Sequence, residues 1–561
     1  MKKRNLVLLI LPIFLSSCAK SVPLSFEEYV KYVNEENYQT HSVLKEEGIY
    51  ERSGNYGTIN LPLNSYGMTS ISSLKNVSGS RDNKNVYDNV GELKLLVVPV
   101  KFKDRPVENA EDKKTLINNA FFGVESKTKY ESVASYYNKS SYGKVKITGE
   151  VTDWFETTYT IEEAIQQSIK DGAGEYVSRN IAAQVADYLH EIEFDLSKYD
   201  LDGDNFVDGV YLVYDYPQDD GASRSPLLWA YFDKVNKGHD YNDHTYNNVA
   251  PYVSSYSWSS FYFTGSNSLK THVVETNTYI HEVGHQFGLD DYYNTNSKTY
   301  TSSGDYDKSH SGIYQPTGFM DMMDYNLGDH CSFSKYLLDW VNPIVLKGEG
   351  EITLHSFTES GEFILVPALD SDRKEEWNGT PFDEYLLIEY FTPDGLNDSY
   401  QFSSYSYLDG NNRQSVYNYP TRHGVRVYHI DARLAYYQSR TLKSECRWIE
   451  DSGIAQWGTS HSGRYIDFLN TNSTLGTVDT STPVLVNLLE ADGKNNLYNG
   501  IAASDSTIFG LKSTFGIDCY KDFVFNKPSK KGQNMYLPYS FEISKLSSDE
   551  VTIKFSEISF K

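Results

Sequence analysis

The residues most clearly able to bind a metal and move a proton occupy positions 281–285, where the sequence reads HEVGH. A spacing of four residues places His281 and His285 on one face of a helix, one turn apart, so both imidazoles can bind the same metal ion. Zinc lowers the pKa of the water that it binds toward about 7, which makes that water a nucleophile near neutral pH. Glu282 lies on the adjoining face, where it can take a proton from the water. The segment therefore predicts a zinc site that activates water.

The residues that follow supply a third ligand. The five-residue motif alone is a weak signal, and a polar helix face without metal is the alternative interpretation. Gly288 can adopt the left-handed conformation that ends a helix and turns the chain back. Asp291 then returns toward the histidines and offers a carboxylate oxygen, with the neighbouring Asp290 as the alternative ligand. The extended pattern HExxHxxGxxD favours zinc bound by His281, His285 and Asp291.

The segment HEVGHQFGLDDYY at 281–293 resembles the active-site segment of the immune inhibitor A family of secreted bacterial metalloproteases. Members of that family are metzincins whose third zinc ligand is an aspartate. FMDMMDYN at 319–326 resembles the family's Met-turn, and SFSKYLLDWV at 332–341 resembles the helix after it. Weaker similarities, in the family's order, extend from about residue 93 to 493.

This resemblance implies a role for each matched residue. His281, His285 and Asp291 would bind zinc, and Glu282 would be the general base. Met323 would be the structural methionine beneath the metal. Tyr325, two residues later, would occupy the place where some metzincins hold a tyrosine that stabilises the oxyanion; a tyrosine packed against the cleft wall is the alternative. The implied reaction is hydrolysis of peptide bonds in extracellular proteins, with no covalent intermediate on the enzyme.

A second metal site is predicted in the acidic loop DLDGDNFVD at 200–208. Calcium needs several oxygens from one tight loop, and carboxylates at alternating positions around a glycine supply them. The twelfth position, where an EF-hand has Glu, is Tyr211, so the loop is a shorter version. A solvated acidic turn without a cation is the alternative. The predicted ligands are Asp200, Asp202, Asp204 and Asp208 through their carboxylates and Phe206 through its backbone carbonyl.

The N-terminus predicts a bacterial lipoprotein signal over residues 1–18. Basic residues at 2–4 precede an apolar run at 6–15 that is too short to span a bilayer, and small residues then lead to Cys18. The Cys18 thiol would accept a lipid and anchor the protein to the membrane at the cell surface. A cleaved signal with a chance cysteine is the alternative. Residues 19–90 are polar and are predicted to form a tether or a propeptide-like segment.

Composition narrows the set of partners. The formal net charge of −25 repels phosphate backbones, so nucleic acid is not expected as a partner, whereas calcium is. The chain has four cysteines and no short CxxC pair, which argues against a cysteine zinc site. With Cys18 assigned to the lipid, three remain, an odd number that defines no complete disulfide framework: Cys331, Cys446 and Cys519.

The pattern of elements predicts an α+β fold. A catalytic domain with helices and a mixed sheet is expected over 91–345, with the metzincin-like architecture that the resemblance implies. Short alternating segments separated by Gly, Asn, Asp and Ser indicate a β-rich region over 346–561. The predicted function is that of a zinc endopeptidase. The alternatives are a surface-anchored binding lipoprotein or adhesin with an inactive site, and a glycoprotein-specific protease.

Overall fold

The computed structural model describes residues 87–171, 175–201, 203, 205–217, 225–234, 250–293, 316–367, 377–398, 419–437, 484–494, 496–497, 501–516 and 539–557, together with shorter pieces at 50–52, 71, 240–241, 244–245, 406–408, 414–416, 446–449, 454–457, 465–468, 471–472, 525–526 and 534–535.

The helices of this described part are α1 (Ala110–Phe122), α2 (Val133–Ser140), α3 (Ile161–Asp171), α4 (Glu175–Glu191), α5 (Ser268–Thr271), α6 (Asn277–Gln286), α7 (Met322–Tyr325), α8 (Ser332–Leu337) and α9 (Phe357–Ser360). Short 3-10 helices lie at Glu125–Lys127, Leu196–Tyr199, Pro226–Leu228, Phe261–Thr264 and Gly395–Asn397.

The strands are β1 (Tyr50–Arg52), β2 (Gly91–Lys101), β3 (Val145–Val151), β4 (Phe155–Glu156), β5 (Gly209–Tyr214), β6 (Tyr231–Lys234), β7 (Asp240–Tyr241), β8 (His244–Thr245), β9 (Ser255–Ser260), β10 (Ile344–Leu346), β11 (Gly350–His355), β12 (Phe363–Pro367), β13 (Glu384–Phe391), β14 (Ser406–Leu408), β15 (Gln414–Val416), β16 (Gly424–Asp431), β17 (Leu434–Tyr437), β18 (Cys446–Ile449), β19 (Ile454–Trp457), β20 (Tyr465–Phe468), β21 (Val486–Leu488), β22 (Thr514–Phe515), β23 (Phe525–Asn526), β24 (Asn534–Met535), β25 (Tyr539–Leu546) and β26 (Glu550–Glu557).

The first sheet has the strand order β3-β2-β5-β9-β6, with β4 beside the end of β2. Strands β3, β2, β5 and β9 run parallel, whereas β6 pairs antiparallel with β9 at the edge. Successive side chains of β2 enter different cores, because strand residues alternate between faces. Leu95 and Val97 pack in the cluster that also holds residues of α1, α2 and α6, whereas Leu96 and Val98 pack in the cluster with residues of α3 and α4. Both faces of this sheet are therefore covered.

The described residues after 345 include three sheets of four or more strands. The first has the order β1-β10-β12-β13-β16-β21 and so also contains β1 from the N-terminal part, the second is β11-β26-β25-β22, and the third is β18-β19-β17-β20. Residues of the first two of these sheets form a shared apolar cluster. The opposite face of the first of them, through Leu365, Leu387 and Tyr428, joins the cluster that contains α6. The predicted boundary at 345/346 is therefore crossed by a continuous core.

A piece of the predicted tether takes part in this architecture. Strand β1 pairs antiparallel with β10, and Ile71 and Tyr87 are buried in the cluster that contains α6. Propeptide function of residues 19–90 stays a prediction.

The mixed sheets and helices agree with the predicted α+β class. Helical spacing in the sequence from about 270 to 288 predicts one helix that ends at Gly288; in the structure, α6 begins at Asn277 and is preceded by the separate turn α5. No helix in the described part has the length and apolar character needed to cross a membrane. Cys331 is a buried free thiol and Cys446 lies in β18, whereas Cys18 and Cys519 lie outside the described residues.

Candidate metal centre

Helix α6, which carries both histidines, is fastened to the underside of the first sheet. The Gln286 side-chain amide donates to the Val210 carbonyl at 3.1 Å and to the Ser257 hydroxyl at 2.7 Å. At the other end of the helix, the Tyr279 hydroxyl donates to the Ser260 carbonyl at 2.8 Å. These bonds to β5 and β9 fix the position and rotation of the helix, and so the direction in which its histidines project.

The structure brings the three predicted zinc ligands together. Asp291 Oδ1 lies 3.1 Å from His281 Nε2 and 3.3 Å from His285 Nε2. Gly288 has a φ of +89°, the left-handed conformation expected at the helix end, and this turn returns the chain to the histidines. Among the described residues, these three form a group whose ligand atoms all lie within 4.8 Å of one another. The carboxylate in this group belongs to Asp291, as predicted, and not to Asp290.

The outward-facing nitrogen of each histidine contacts a backbone carbonyl. His281 Nδ1 lies 2.8 Å from the Met322 carbonyl oxygen, and His285 Nδ1 lies 2.7 Å from that of Leu289. Because a carbonyl only accepts, each Nδ1 carries a proton, and Nε2 is the atom of each ring that faces Asp291 and could bind a metal once it is deprotonated. Contacts of this kind orient the histidines of metal sites, so the donor set fits a zinc ion.

The charges of the three side chains also suit a cation. Burial alone would raise the pKa of Asp291, but His285 and His281 hold it well below its usual range. Burial alone would lower the pKa of His285, but the Asp291 carboxylate raises it to about 10. In the metal-free protein a proton therefore occupies this cluster, and a metal ion would replace it.

Glu282 lies beside the ligands with one oxygen uncommitted. Its side chain is 4% exposed, and its Oε2 is buried without a hydrogen-bond partner in the described part of the protein. Burial raises the pKa of Glu282 to about 7, although His281 and His285 act in the opposite direction. A carboxylate that exchanges a proton near neutral pH is what general base catalysis requires.

The predicted Met-turn packs directly against α6. A Cβ built at Gly284 would lie 2.4 Å from Met323 Sδ, so a larger residue there would have to displace the end of this methionine. The Asp321 carboxylate holds the turn by accepting from the Met323 N–H at 2.8 Å and the Cys331 N–H at 2.7 Å. Met323 is fully buried against the helix that carries the histidines, in agreement with a structural role.

Sequence reasoning singled out Tyr325. Its ring packs edge-on against Phe319, with centroids 4.9 Å apart, and against the core. Its role in the reaction stays a prediction. Sequence reasoning missed Tyr293, whose ring centroid lies 6.3 Å from that of His281 and whose hydroxyl is close enough to Asp291 to interact with its carboxylate. Burial, reinforced by the charges of Asp291 and Glu282, raises the pKa of Tyr293 well above its ordinary value, so its phenol keeps its proton. Its position two residues after a ligand was the available signal.

The predicted calcium loop is described in part, since Asp202 and Asp204 lie outside the described residues. Asp200 Oδ2 accepts from the Asn205 N–H, and Asp208 Oδ2 from the Leu201 N–H, both at 3.2 Å. Gly203 and Asn205 have φ values of +72° and +71°, which turn the chain tightly. Phe206 pairs with Tyr252 beside the start of β5. The loop thus holds Asp200 and Asp208 at its ends, and calcium binding stays a prediction.

No protein-family model matches this chain, and no curated protein shows a significant match to it.

Proposed function

We propose that this protein is a zinc-dependent endopeptidase that hydrolyses peptide bonds of extracellular proteins, with Glu282 as the general base. The observation that carries the proposal is the convergence of two Nε2 atoms and one carboxylate oxygen beside a buried carboxylate with an uncommitted oxygen. His281, His285 and Asp291 would hold the zinc. When bound, zinc would polarise a substrate carbonyl and lower the pKa of water.

The proton transfers are assigned to Glu282. Its carboxylate takes a proton from water as the water oxygen attacks the scissile carbonyl carbon, and the same group then gives that proton to the leaving amine. In the metal-free protein the pKa of Glu282 is about 7, so this group can both take up and release a proton near neutral pH. Tyr293, a protonated phenol beside Asp291, is the donor that we assign to the negative charge developing on the carbonyl oxygen.

The edge of the first sheet supports an extended peptide as the substrate. Strand β6 is the antiparallel edge strand, and its Phe232 stacks on His285 with ring centroids 6.4 Å apart. An extended peptide can add to such an edge through main-chain hydrogen bonds, which do not depend on side-chain identity. A peptide lying along β6 would pass beside the metal ligands. Helix α6 below this sheet, with the Met-turn packed against it, supports a metzincin-like fold.

The proposal also includes the location of the protein at the membrane and a calcium ion in the acidic loop. Lipid attachment at Cys18, which lies outside the described residues, would anchor the enzyme to the membrane at the bacterial surface. Calcium in the 200–208 loop would hold the start of β5 and serve stability alone.

The test is cleavage of casein or gelatin by a soluble form of the protein from residue 19 onward, with zinc content measured on the same sample. A chelator should abolish cleavage, and added zinc should restore it. His285→Ala should lose both zinc and activity, whereas His272→Ala, at an exposed position outside the site, should retain both. A protein that holds one zinc ion per chain and cleaves neither substrate would refute the proposal.

A further inference from the structure

The backbone next to the third ligand is clamped from two sides. Tyr292 follows Asp291, and its N–H donates to the Met323 carbonyl at 2.8 Å. Its own carbonyl accepts from Asn472 Nδ2 at 3.2 Å, a bond that links positions 180 residues apart. The Tyr292 hydroxyl lies 2.6 Å from that of Ser334, and the side chain is buried. The course of the chain at Asp291 is therefore set by the Met-turn on one side and by the β-rich region on the other.

Asn472 is itself held rigidly. Its side chain is 0% exposed, and its amide makes two bonds to Val486, the first residue of β21. Nδ2 donates to the Val486 carbonyl at 2.9 Å, and Oδ1 accepts from the Val486 N–H at 3.1 Å. A side-chain amide offers two donors and an acceptor, so one Asn completes all three bonds. Asn472 thus links β21, the edge strand of the sheet β1-β10-β12-β13-β16-β21, to the backbone next to Asp291.

The segment that leads into the Met-turn is held by the same region. In this segment every second carbonyl from residue 316 to residue 320 accepts a hydrogen bond from a residue after 420. Each of these three bonds crosses the predicted domain boundary at 345/346. The bonds are Leu488 N–H to Pro316 O at 2.7 Å, Ala503 N–H to Gly318 O at 3.0 Å, and Arg426 Nη1 to Met320 O at 3.4 Å.

Two further contacts make this approach close. Gly318 has a φ of +67°, and a Cβ there would lie 2.7 Å from Ala503 Cβ, so only glycine lets the chains come this near. Arg426 is fully buried in an ion pair with Glu389, whose Oε2 accepts from the Ser332 N–H at 2.8 Å at the start of α8. The contacts between the segment before the Met-turn and the β-rich region are therefore buried in the protein interior.

We propose that the β-rich region is part of the scaffold of the metal centre, and that Asn472 is a positioning residue that holds Asp291 in place to bind zinc. The inference rests on the zinc site of the proposed function, although not on peptide hydrolysis. It assigns to residues after 345 a role in the centre in addition to any role in substrate binding. Outer contacts of metal ligands are worth about 10- to 100-fold in affinity, and a contact one residue further out should lie at the lower end of that range.

The test is the zinc dissociation constant of the full chain, measured by competition with a chromophoric chelator. Asn472→Leu keeps the size of the side chain and removes all three bonds, so it should weaken zinc binding about tenfold. Asn180→Leu, at a buried Asn of α4 remote from the ligands, is the matched control and should leave the affinity unchanged. Melting curves by circular dichroism define the temperature at which all variants are folded.

Asn472→Ser guards against a leucine variant that fails to fold. Its hydroxyl can still bond to Val486 but is too short to reach Tyr292 as well, so it should also bind zinc more weakly than the parent. Unchanged zinc affinity in either folded Asn472 variant, or an equal loss in Asn180→Leu, would overturn the proposal. Because the assay measures metal binding, a parent protein that binds zinc but cleaves no peptide would refute the proposed function and leave this result standing.

Discussion

Substituting Glu282 by Gln should make the metal-free protein more stable at pH 8 while abolishing its activity. Burial moves the pKa of Glu282 from the ordinary 4.5 to about 7. A difference of about 2.5 units, at 1.36 kcal/mol per unit, corresponds to about 3 kcal/mol of unfolding free energy that the ionised carboxylate removes. The glutamine amide carries no charge and avoids this loss.

The sign and the pH range follow from the raised pKa. The folded state binds the proton more tightly than the unfolded state does, so the parent keeps its full stability below about pH 4.5. It loses stability as the pH rises to about 7, and the loss is constant above that. The glutamine variant leaves an unpaired polar atom where Glu282 Oε2 lies, at about 1–2 kcal/mol, but this term does not depend on pH. The variant should therefore gain about 3 kcal/mol on the parent between pH 4.5 and 8.

The assay is urea unfolding in the presence of a chelator at several pH values, with Glu125→Gln, at an exposed glutamate, as the control that should show no such gain. Zinc-loaded Glu282→Gln should retain the metal and lose several orders of magnitude in turnover, since the base is gone. A stability difference that is the same at pH 4.5 and pH 8 would refute the reasoning from burial. Turnover near that of the parent would refute the role of Glu282 as base.

Three further outcomes are expected. Tyr293→Phe should lower kcat at least tenfold, because it removes one oxyanion donor, whereas Tyr325→Phe should lower kcat less than twofold. The reverse ranking would return the role to Tyr325. Asp202→Ala with Asp204→Ala should remove a calcium-dependent gain of about 1 kcal/mol in melting experiments, and a parent that melts alike with calcium and with a chelator would show that the loop is only an acidic turn. Cys18→Ala should move the protein from the membrane fraction to the supernatant, whereas retention after a salt wash would indicate another anchor.

The three candidate ligands could be predicted because the pattern that marks them is local. A separation of four residues on a helix and a glycine at its end bring His281, His285 and Asp291 toward one another, although distant residues then hold Asp291 in place. The strands β2, β5 and β13 could be predicted for the same reason, since each contains an apolar run, LLVVPV in β2, VYLVY in β5 and YLLI in β13. The predicted start of α6, at about residue 270, was several residues too early, and the helix begins at Asn277. Helical spacing does not mark where the separate turn α5 ends.

The surroundings of the ligands could not be predicted in this way. Gly284 occupies a position that the zinc motif leaves open, and its reason, the sulfur of Met323, comes from 39 residues further along the chain. Tyr325 was chosen by its distance from Met323 in sequence, but the direction of its ring depends on Phe319 and the core. The hydrogen bond from Asn472 to Tyr292 joins residues 180 positions apart, and neither the sequence around Asn472 nor that around Tyr292 indicates it.

These long-range contacts explain how a metal centre keeps its shape before any metal binds. Beneath the Met-turn lie two fully buried ion pairs, Lys335 with Asp329 and Arg426 with Glu389. Removing one partner of such a pair leaves an uncompensated charge, at about 3–5 kcal/mol, so alternative packings of these loops are strongly disfavoured. These ion pairs favour one arrangement of the segment around the Met-turn, to which the Tyr292 N–H is bonded. If zinc binds as proposed, a ligand set held in this way should bind it more tightly, because less backbone would have to be ordered on binding.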